Sequence, residues 1–252
     1  MIKSAGIHSL KKLLFNLYFW PLFALVTLVL LVLIPPSATL LGFIKRQPAS
    51  FFFRRGIRFY GLIVVRFIPF FGPTKLIDKS GPPTHPTIFV ANHLSSIDPY
   101  CFGVVDTEHA MLTSWPFSIP LFKSMMTGAE YIDTREGWES IQRKASQLLA
   151  KKCNLLIWPE GHRAKDGRLG SFERGAFRLA VECNCSVTPV CFIHTNRVMA
   201  PKQRFLSPYR PKVIILPPIF PPKENKPRRA IKKLCQQTWQ AIQTELAEHE
   251  HE

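Results

Sequence analysis

The sequence predicts an α/β domain, a central sheet flanked by helices, with an N-terminal membrane-associated helical hairpin. Three observations predict it. Short apolar runs bounded by Gly, Pro or polar residues alternate with helical patterns between about residues 87 and 216. Leu13–Ile34, a stretch of 22 residues, carries no charge and is long enough to cross a bilayer. The apolar run Thr87-Ile88-Phe89-Val90 leads into Asn92-His93-Leu94-Ser95-Ser96-Ile97-Asp98, a histidine followed five residues later by a carboxylate.

In chain order, residues 1–75 read as the hydrophobic two-helix module, 76–225 as the α/β domain and 226–252 as an amphipathic helix packed on it. Leu13–Ile34 is too long for a typical signal-peptide core, and no small-x-small cleavage site stands near Pro35-Pro36. Trp20 and Tyr18 suit an interfacial end. Lys3, Lys11 and Lys12 precede the run, and Lys45, Arg46, Arg54, Arg55 and Arg58 follow it, so charge gives no orientation. A second apolar stretch, Ile57–Phe71, holds Arg58 and Arg66 and is short for a span. Together the two favour a monotopic hairpin over a single span, with a buried core helix as the least favoured alternative.

Gly72-Pro73 and Gly81-Pro82-Pro83 punctuate the exit from this module. Strands are predicted at Thr87–Ala91, Asn154–Trp158, Val187–His194 and Val213–Leu216, with helices near Pro99–Val105, Gly137–Lys152 and Phe172–Glu182. Pro189 interrupts its strand, which predicts a sheet edge or a residue lining the site. From Arg228 to Glu248, Ile231, Leu234, Cys235, Ile242 and Leu246 share one helical face with Trp239 beside it.

Lys and Arg outnumber Asp and Glu by 33 to 17, a formal charge of +16 that attracts anions of several kinds. No zinc-finger or P-loop spacing points to nucleic acid. The six cysteines form no C-x-x-C pair, and most sit among apolar residues, which predicts reduced core residues of a cytosol-facing domain. No metal site is predicted. A hydrolase is disfavoured by the lack of a G-x-S-x-G elbow or an H-E-x-x-H pair.

His93 and Asp98 cannot pair from one regular helix. Five residues turn it by about 500°, leaving the side chains about 140° apart. They can pair if the chain turns between them and a helix starts near Asp98, with Asp at the N-cap and Pro99 at the first helical position. In such a pair the carboxylate holds one imidazole nitrogen as N–H and leaves the other free to take a proton. The same residues read equally well as a helix cap and a loop histidine. Farther on, Trp158-Pro159-Glu160-Gly161-His162-Arg163 follows the apolar run Leu155-Leu156-Ile157. A glycine turn there exposes backbone N–H groups, Arg163 can grip a phosphate, and Glu160 can orient Arg163 or a substrate hydroxyl.

N-H-x-x-x-x-D at 92–98, G-x-x-Y-I-D at 128–133, P-E-G-x-R at 159–163 and V-x-P-V at 187–190, in that order, resemble the four blocks of the glycerolipid acyltransferases. The lysophosphatidic acid acyltransferases are the best-known members. The resemblance covers about Pro86–Phe192, and Ser118–Phe122 and Arg174–Ala180 also look like family segments. It implies a mixed sheet and a membrane-bound O-acyltransferase at the cytoplasmic face, as in a bacterial inner membrane. His93 is then the general base on a glycerol hydroxyl, Asp98 its orienter, and acyl-CoA or acyl-carrier protein the co-substrate, with no cofactor. Glu160, Gly161 and Arg163, with Thr134 and Arg135, are the expected binding residues for the acceptor. The family commonly has Arg directly after I-D, where this chain has Thr134 and then Arg135. It often has Lys ahead of the S-I-P-L-F-like segment, where this chain reads Met111-Leu112-Thr113-Ser114-Trp115. The implied product is phosphatidic acid from 1-acyl-glycerol-3-phosphate; the alternative acceptors are another lysophospholipid or a lyso-ornithine lipid.

Overall fold

A computed structural model describes residues 2–67, 73–81, 86–164 and 167–249. The second half of the Gly81-Pro82-Pro83 punctuation, Gly72, and residues 68–71 of the second apolar stretch lie outside the described residues. Two helices, α1 (Ile2–Lys45) and α2 (Ala49–Leu62), form a hairpin, and α2 runs on through a π-helical turn, Ile63–Phe67. Seven strands follow: β1 (Lys75–Asp78), β2 (Thr87–Ala91), β3 (His109–Thr113), β4 (Ile132–Asp133), β5 (Asn154–Ile157), β6 (Ser186–Ile193) and β7 (Lys212–Ile215). Between them lie α3 (Asp98–Cys101), α4 (Pro120–Gly128), α5 (Trp138–Ala150), α6 (Gly175–Glu182) and α7 (Thr195–Val198), and α8 (Pro227–Glu248) closes the described chain.

The sheet is mixed, in the order β1-β7-β6-β2-β5-β3-β4. β6, β2, β5, β3 and β4 are parallel, and β7 pairs antiparallel with β6. Every residue of β2, β5 and β6 is buried, as parallel strands covered on both faces require. Crossovers from β2 to β3 and β3 to β4 run one way along the sheet, and those from β4 to β5 and β5 to β6 run back. Right-handed crossovers therefore place α3 and α4 on one face and α5 and α6 on the other. The α1–α2 hairpin joins the α3–α4 layer, and α8 joins the α5–α6 layer.

Three strands carried too weak a pattern to be predicted: β1, β3 and the two-residue β4. Lys75 already belongs to the sheet, one residue before the expected start of the α/β domain. The helix expected from Phe172 begins at Gly175; Phe172 instead stacks its ring on Phe177 from the preceding loop.

Pro189 corrects the edge expectation, because β6 lies near the middle of the sheet. It pairs with Val90 on one side. On the other, its carbonyl accepts a hydrogen bond from Leu216 N. Backbone N and C=O of one strand residue point the same way, so the missing N–H also faces β7. There β7 is already leaving the ladder. The register runs Val190 opposite Ile215, then resumes with Val187 opposite Ile219, one residue out of step. The proline sits at a bulge, where a donor is dispensable.

Two of the basic residues after the first apolar run have partners in the α/β domain. Arg54 is buried and reaches from α2 to Glu108 at 2.6 Å and to the carbonyl of Ala129 at 3.0 Å. Arg58 donates to the Val105 carbonyl and pairs with Asp106 at 2.8 Å. These two cations fasten α2 to the α/β domain. The crossing itself is very close: a Cβ on Gly103 would lie 2.7 Å from the backbone N of Leu62 and 2.9 Å from the carbonyl O of Arg58. Gly103→Ala is therefore expected to lower stability by about 1–3 kcal/mol, through backbone that cannot yield as a side chain would. Chemical denaturation of the detergent-solubilised protein checks it; an unchanged midpoint contradicts the close crossing.

Candidate active site

Parallel strands bring their C-terminal ends to one edge, where ligands of open α/β sheets bind. Here β2 delivers His93, β5 delivers Trp158–Arg163, β3 delivers Trp115 and β4 delivers Thr134 and Arg135.

Past β2 the chain turns at once. Asn92, fully buried, continues the ladder with its side chain: its amide donates to the Phe192 carbonyl at 3.0 Å and accepts from Phe192 N at 2.7 Å. α3 starts at Asp98, with Ile97 as the cap and no side-chain cap bond, and Pro99 at the second position. The Cα–Cβ bonds of a helix tilt toward its N-terminus, so the Asp98 carboxylate faces back into the turn. Its Oδ2 accepts Leu94 N at 2.8 Å and Ser95 N at 2.9 Å and lies 2.7 Å from His93 Nδ1. The pairing reading of Asp98 therefore holds, and the expectation that it is the N-cap, with Pro99 at the first helical position, is corrected. Asp98 does not cap its own helix; it satisfies the amides of the turn before it with the same oxygen that meets His93.

That oxygen is an acceptor for all three neighbours, so Nδ1 of the neutral ring carries the proton and Nε2 has its lone pair free. The His93 side chain is 19% exposed, against 0% for Asp98. Its ring lies against Trp158 with centroids 5.3 Å apart, and Trp158 stacks in turn on Phe192. Ser95 Oγ donates to the Met199 carbonyl at 2.6 Å, tying the turn to the β6–β7 connection.

The Trp158–Arg163 turn presses on the same histidine. Ala164 N donates to the His93 carbonyl at 2.8 Å, and His93 N donates to Glu160 Oε1 at 2.8 Å. Glu160 Oε2 accepts Gly170 N at 2.9 Å. The expectation that Glu160 orients Arg163 or a substrate hydroxyl is corrected: both its oxygens are taken by backbone amides, and burial raises its pKa above the usual carboxylate value. Gly170 is held from the far side by Trp239 of α8, whose Nε1 donates to its carbonyl at 2.9 Å. Gly161 adopts φ +70°, which favours glycine, and a Cβ there would meet nothing. The backbone conformation, not space, calls for glycine. Arg163 is exposed and pairs with no described residue, a cation open to an anionic ligand beside His93.

Thr134 and Arg135 share the edge but stand in the turn after β4, three strands from β2, or about 14 Å at ordinary strand spacing. Arg135 is bound to Asp133 at 2.6 Å and to Ser118 Oγ at 2.9 Å, and is 55% exposed. The structure therefore brings His93, Asp98, Glu160, Gly161 and Arg163 together and leaves Thr134 and Arg135 apart. Sequence reasoning missed Asn92, Ser95, Gly170 and Trp239 as supports. A polar amide closing an apolar strand was the one local signal; the others act through contacts distant in sequence.

Comparison with known proteins finds relatives in sequence and in fold. The family profile described as Acyltransferase matches residues 75–193. A chloroplastic 1-acyl-sn-glycerol-3-phosphate acyltransferase of Arabidopsis thaliana is 32% identical over 147 residues, 56% of this chain and 41% of that protein. The alpha 1-acyl-sn-glycerol-3-phosphate acyltransferase of Mus musculus is 31% identical, over 55% of this chain and 51% of that one. This chain spans about half the length of these curated relatives or less. Among solved structures, the 1-acyl-sn-glycerophosphate acyltransferase PlsC of Thermotoga maritima superposes with a TM-score of 0.73 at 20% identity, covering 95% of this chain and 97% of that one.

Glu160→Gln tests whether this carboxylate is a support. The variant sets an NH2 group against one of two backbone donors, so ligand-free stability is expected to fall by about 1–3 kcal/mol, with faster amide exchange at His93 or Gly170. A melting temperature and exchange rates equal to the parent's would show that Glu160 holds nothing together.

Proposed function

We propose that this chain, whose residues 75–193 match the acyltransferase family profile, is a membrane-associated O-acyltransferase that moves a fatty acyl group from a thioester donor to the free hydroxyl of a lyso-glycerolipid. The observation that carries the reading is the His93–Asp98 pair, with Nε2 open at the catalytic edge and Arg163, without an ion pair among the described residues, on the turn that bonds His93.

In this reading the acceptor hydroxyl gives its proton to His93 Nε2 as its oxygen attacks the thioester carbonyl. The C–S bond breaks as the carbonyl re-forms, the thiolate leaves, and the imidazolium returns the proton to sulfur. Asp98 stabilises the transient cation from the Nδ1 side. Base catalysis of this type contributes on the order of 100- to 10,000-fold. Arg163 and the turn at Gly161 receive the acceptor's phosphate, with 1-acyl-glycerol-3-phosphate as the preferred acceptor and phosphatidic acid as the product. Thr134 and Arg135 bear on the far end of the same edge. Glu160 acts by positioning His93 through its backbone. Acyl-CoA or acyl-carrier protein is the co-substrate, and no cofactor enters.

The membrane part of the reading rests on α1. Leu10–Lys45 is apolar enough and long enough to cross a membrane. Its buried stripe, Phe15, Phe19, Ile34 and Ala38, packs inward, whereas Leu17, Leu25, Val32 and Phe43 are exposed on the other side. Asn16 is pinned to the backbone of Leu206 at 2.8 Å in both directions, Thr27 meets Tyr60 at 2.6 Å, and Ile34 lies under Gly56. From Phe15 to Ala38, about 35 Å of helix follows one body. A helix so held suits immersion along its free face better than a free-standing span. The cytoplasmic face of a bacterial inner membrane is the proposed location, consistent with six reduced cysteines.

Purified protein supplied with oleoyl-CoA and 1-acyl-glycerol-3-phosphate is expected to form phosphatidic acid. His93→Ala should lose about 100- to 10,000-fold in kcat. Arg163→Ala should raise KM for the phosphate-bearing acceptor more than for a lyso-lipid whose headgroup lacks a terminal phosphate. Full activity in His93→Ala, or no acylation of any lyso-lipid, overturns the reading.

A further inference from the structure

α8 divides sharply by charge. Lys223, Lys226, Arg228, Arg229, Lys232 and Lys233 stand within eleven residues, all exposed, against a single acid, Glu224. From Leu234 to Glu248 the helix has no Lys or Arg and carries Glu245 and Glu248. The only ion pair of the basic cluster among the described residues is Lys233 with Glu224 at 3.3 Å.

This arrangement works against the helix. Cations in the first turns oppose the macrodipole. Arg228 faces Lys232, and Arg229 faces Lys233, both like-charged pairs at i,i+4. The cap residue is Lys226, with no side-chain cap bond. A purely structural helix gains from the opposite placement, and the one ion pair, Lys233 with Glu224, answers only one of these cations.

Placement gives the cluster its sense. Glu245 pairs at 2.7 Å with Lys79, which follows β1, and β1 runs opposite to β6, so this end of α8 lies at the edge away from His93. Trp239 reaches Gly170 at the catalytic edge. Arg228 lies a further 17 Å or so up the helix. The basic turns thus stand at and beyond the catalytic edge, on the sheet face opposite the α1–α2 hairpin. Arg174 and Lys232 line one cleft there together with Phe172 and Trp239.

We propose that the basic turns of α8, with Lys223, Lys226 and Arg174, are the docking surface for an acidic protein that carries the acyl thioester, an acyl-carrier protein. The inference rests on the acyl-transfer reading above. If the apolar hairpin faces lipid, α8 faces away from it, toward donors that arrive from solution. The cations run from the preceding loop over the first turns of α8 to Arg174, with Lys223, Lys226 and Arg229 about one cleft and Lys232 and Arg174 about another, a wider footprint than one nucleotide fills. Complementary charge of this kind raises encounter rates and salt dependence.

The test compares the full-length parent in detergent micelles with a variant carrying Arg228→Gln, Arg229→Gln, Lys232→Gln and Lys233→Gln. Titration with labelled oleoyl-carrier protein should show affinity reduced on the order of tenfold or more, and KM for that donor should rise in step, while KM for oleoyl-CoA moves by less than about twofold. The variant's melting temperature should rise, since its like-charged pairs are gone. Unchanged carrier affinity overturns the proposal. So do equal rises in KM for both donors, which would assign the patch to coenzyme A phosphates, and lost binding to phosphatidylglycerol vesicles with carrier affinity intact, which would assign it to the membrane. A parent that turns over neither donor sinks the acyl-transfer reading, and the carrier titration still judges the surface by itself.

Discussion

One carboxylate oxygen organises the catalytic edge. Asp98 Oδ2 meets the His93 ring and the backbone amides of Leu94 and Ser95 together. Those two amides belong to a turn that has left the β2 ladder and not yet entered α3, so they have no other backbone partner. Burying them without an acceptor would cost about 1–3 kcal/mol each. The carboxylate therefore shapes the turn and fixes the tautomer in one contact. His93 is held at its other atoms too: its N by Glu160, its C=O by Ala164, its ring face by Trp158. Only Nε2 is left to a ligand. Such a histidine meets a substrate with almost no reorganisation, which is where a general base gains its rate.

The sheet then separates two kinds of surface. One face carries α3, α4 and the apolar hairpin, fastened by Arg54, Arg58 and the Gly61–Gly103 crossing. The other carries α5, α6 and α8, with cations concentrated where α8 rises past the edge. His93 lies where both converge. On the acyl-transfer proposal, a lipid acceptor and a water-borne thioester donor pose opposite solvation demands, and a site on a sheet edge can admit each from its own side.

The sequence was most legible where periodicity and burial coincide. β2 shows five apolar or small residues between punctuating segments, and its bounds, Thr87–Ala91, are those expected. α8 announced itself by one apolar face. β4 spans only two residues, too short for any pattern, and β3 begins with a buried histidine that reads as a loop. Pro189 misled because a proline rule speaks of one missing donor and cannot see that β7 departs at that very register. Glu160 misled for a related reason. Sequence shows a carboxylate next to an arginine, whereas its partners, His93 N and Gly170 N, are backbone atoms that no motif displays. The His93–Asp98 pair and the glycine turn of Gly161 were legible as geometry; the dependence of Asp98's role on the turn between His93 and Asp98 became visible only in three dimensions.

The central claim is that Asp98 holds His93 as the Nδ1–H tautomer with Nε2 unprotonated. Nitrogen-15 NMR of protein labelled at histidine reads this directly, through long-range couplings from the ring carbons' protons. At a pH where the ring is neutral, the parent should show a protonated Nδ1 and a pyridine-like Nε2 for the resonance that His93→Gln removes. Asp98→Asn should abolish that preference. A protonated Nε2 in the parent, or an unaltered tautomer in Asp98→Asn, would contradict it.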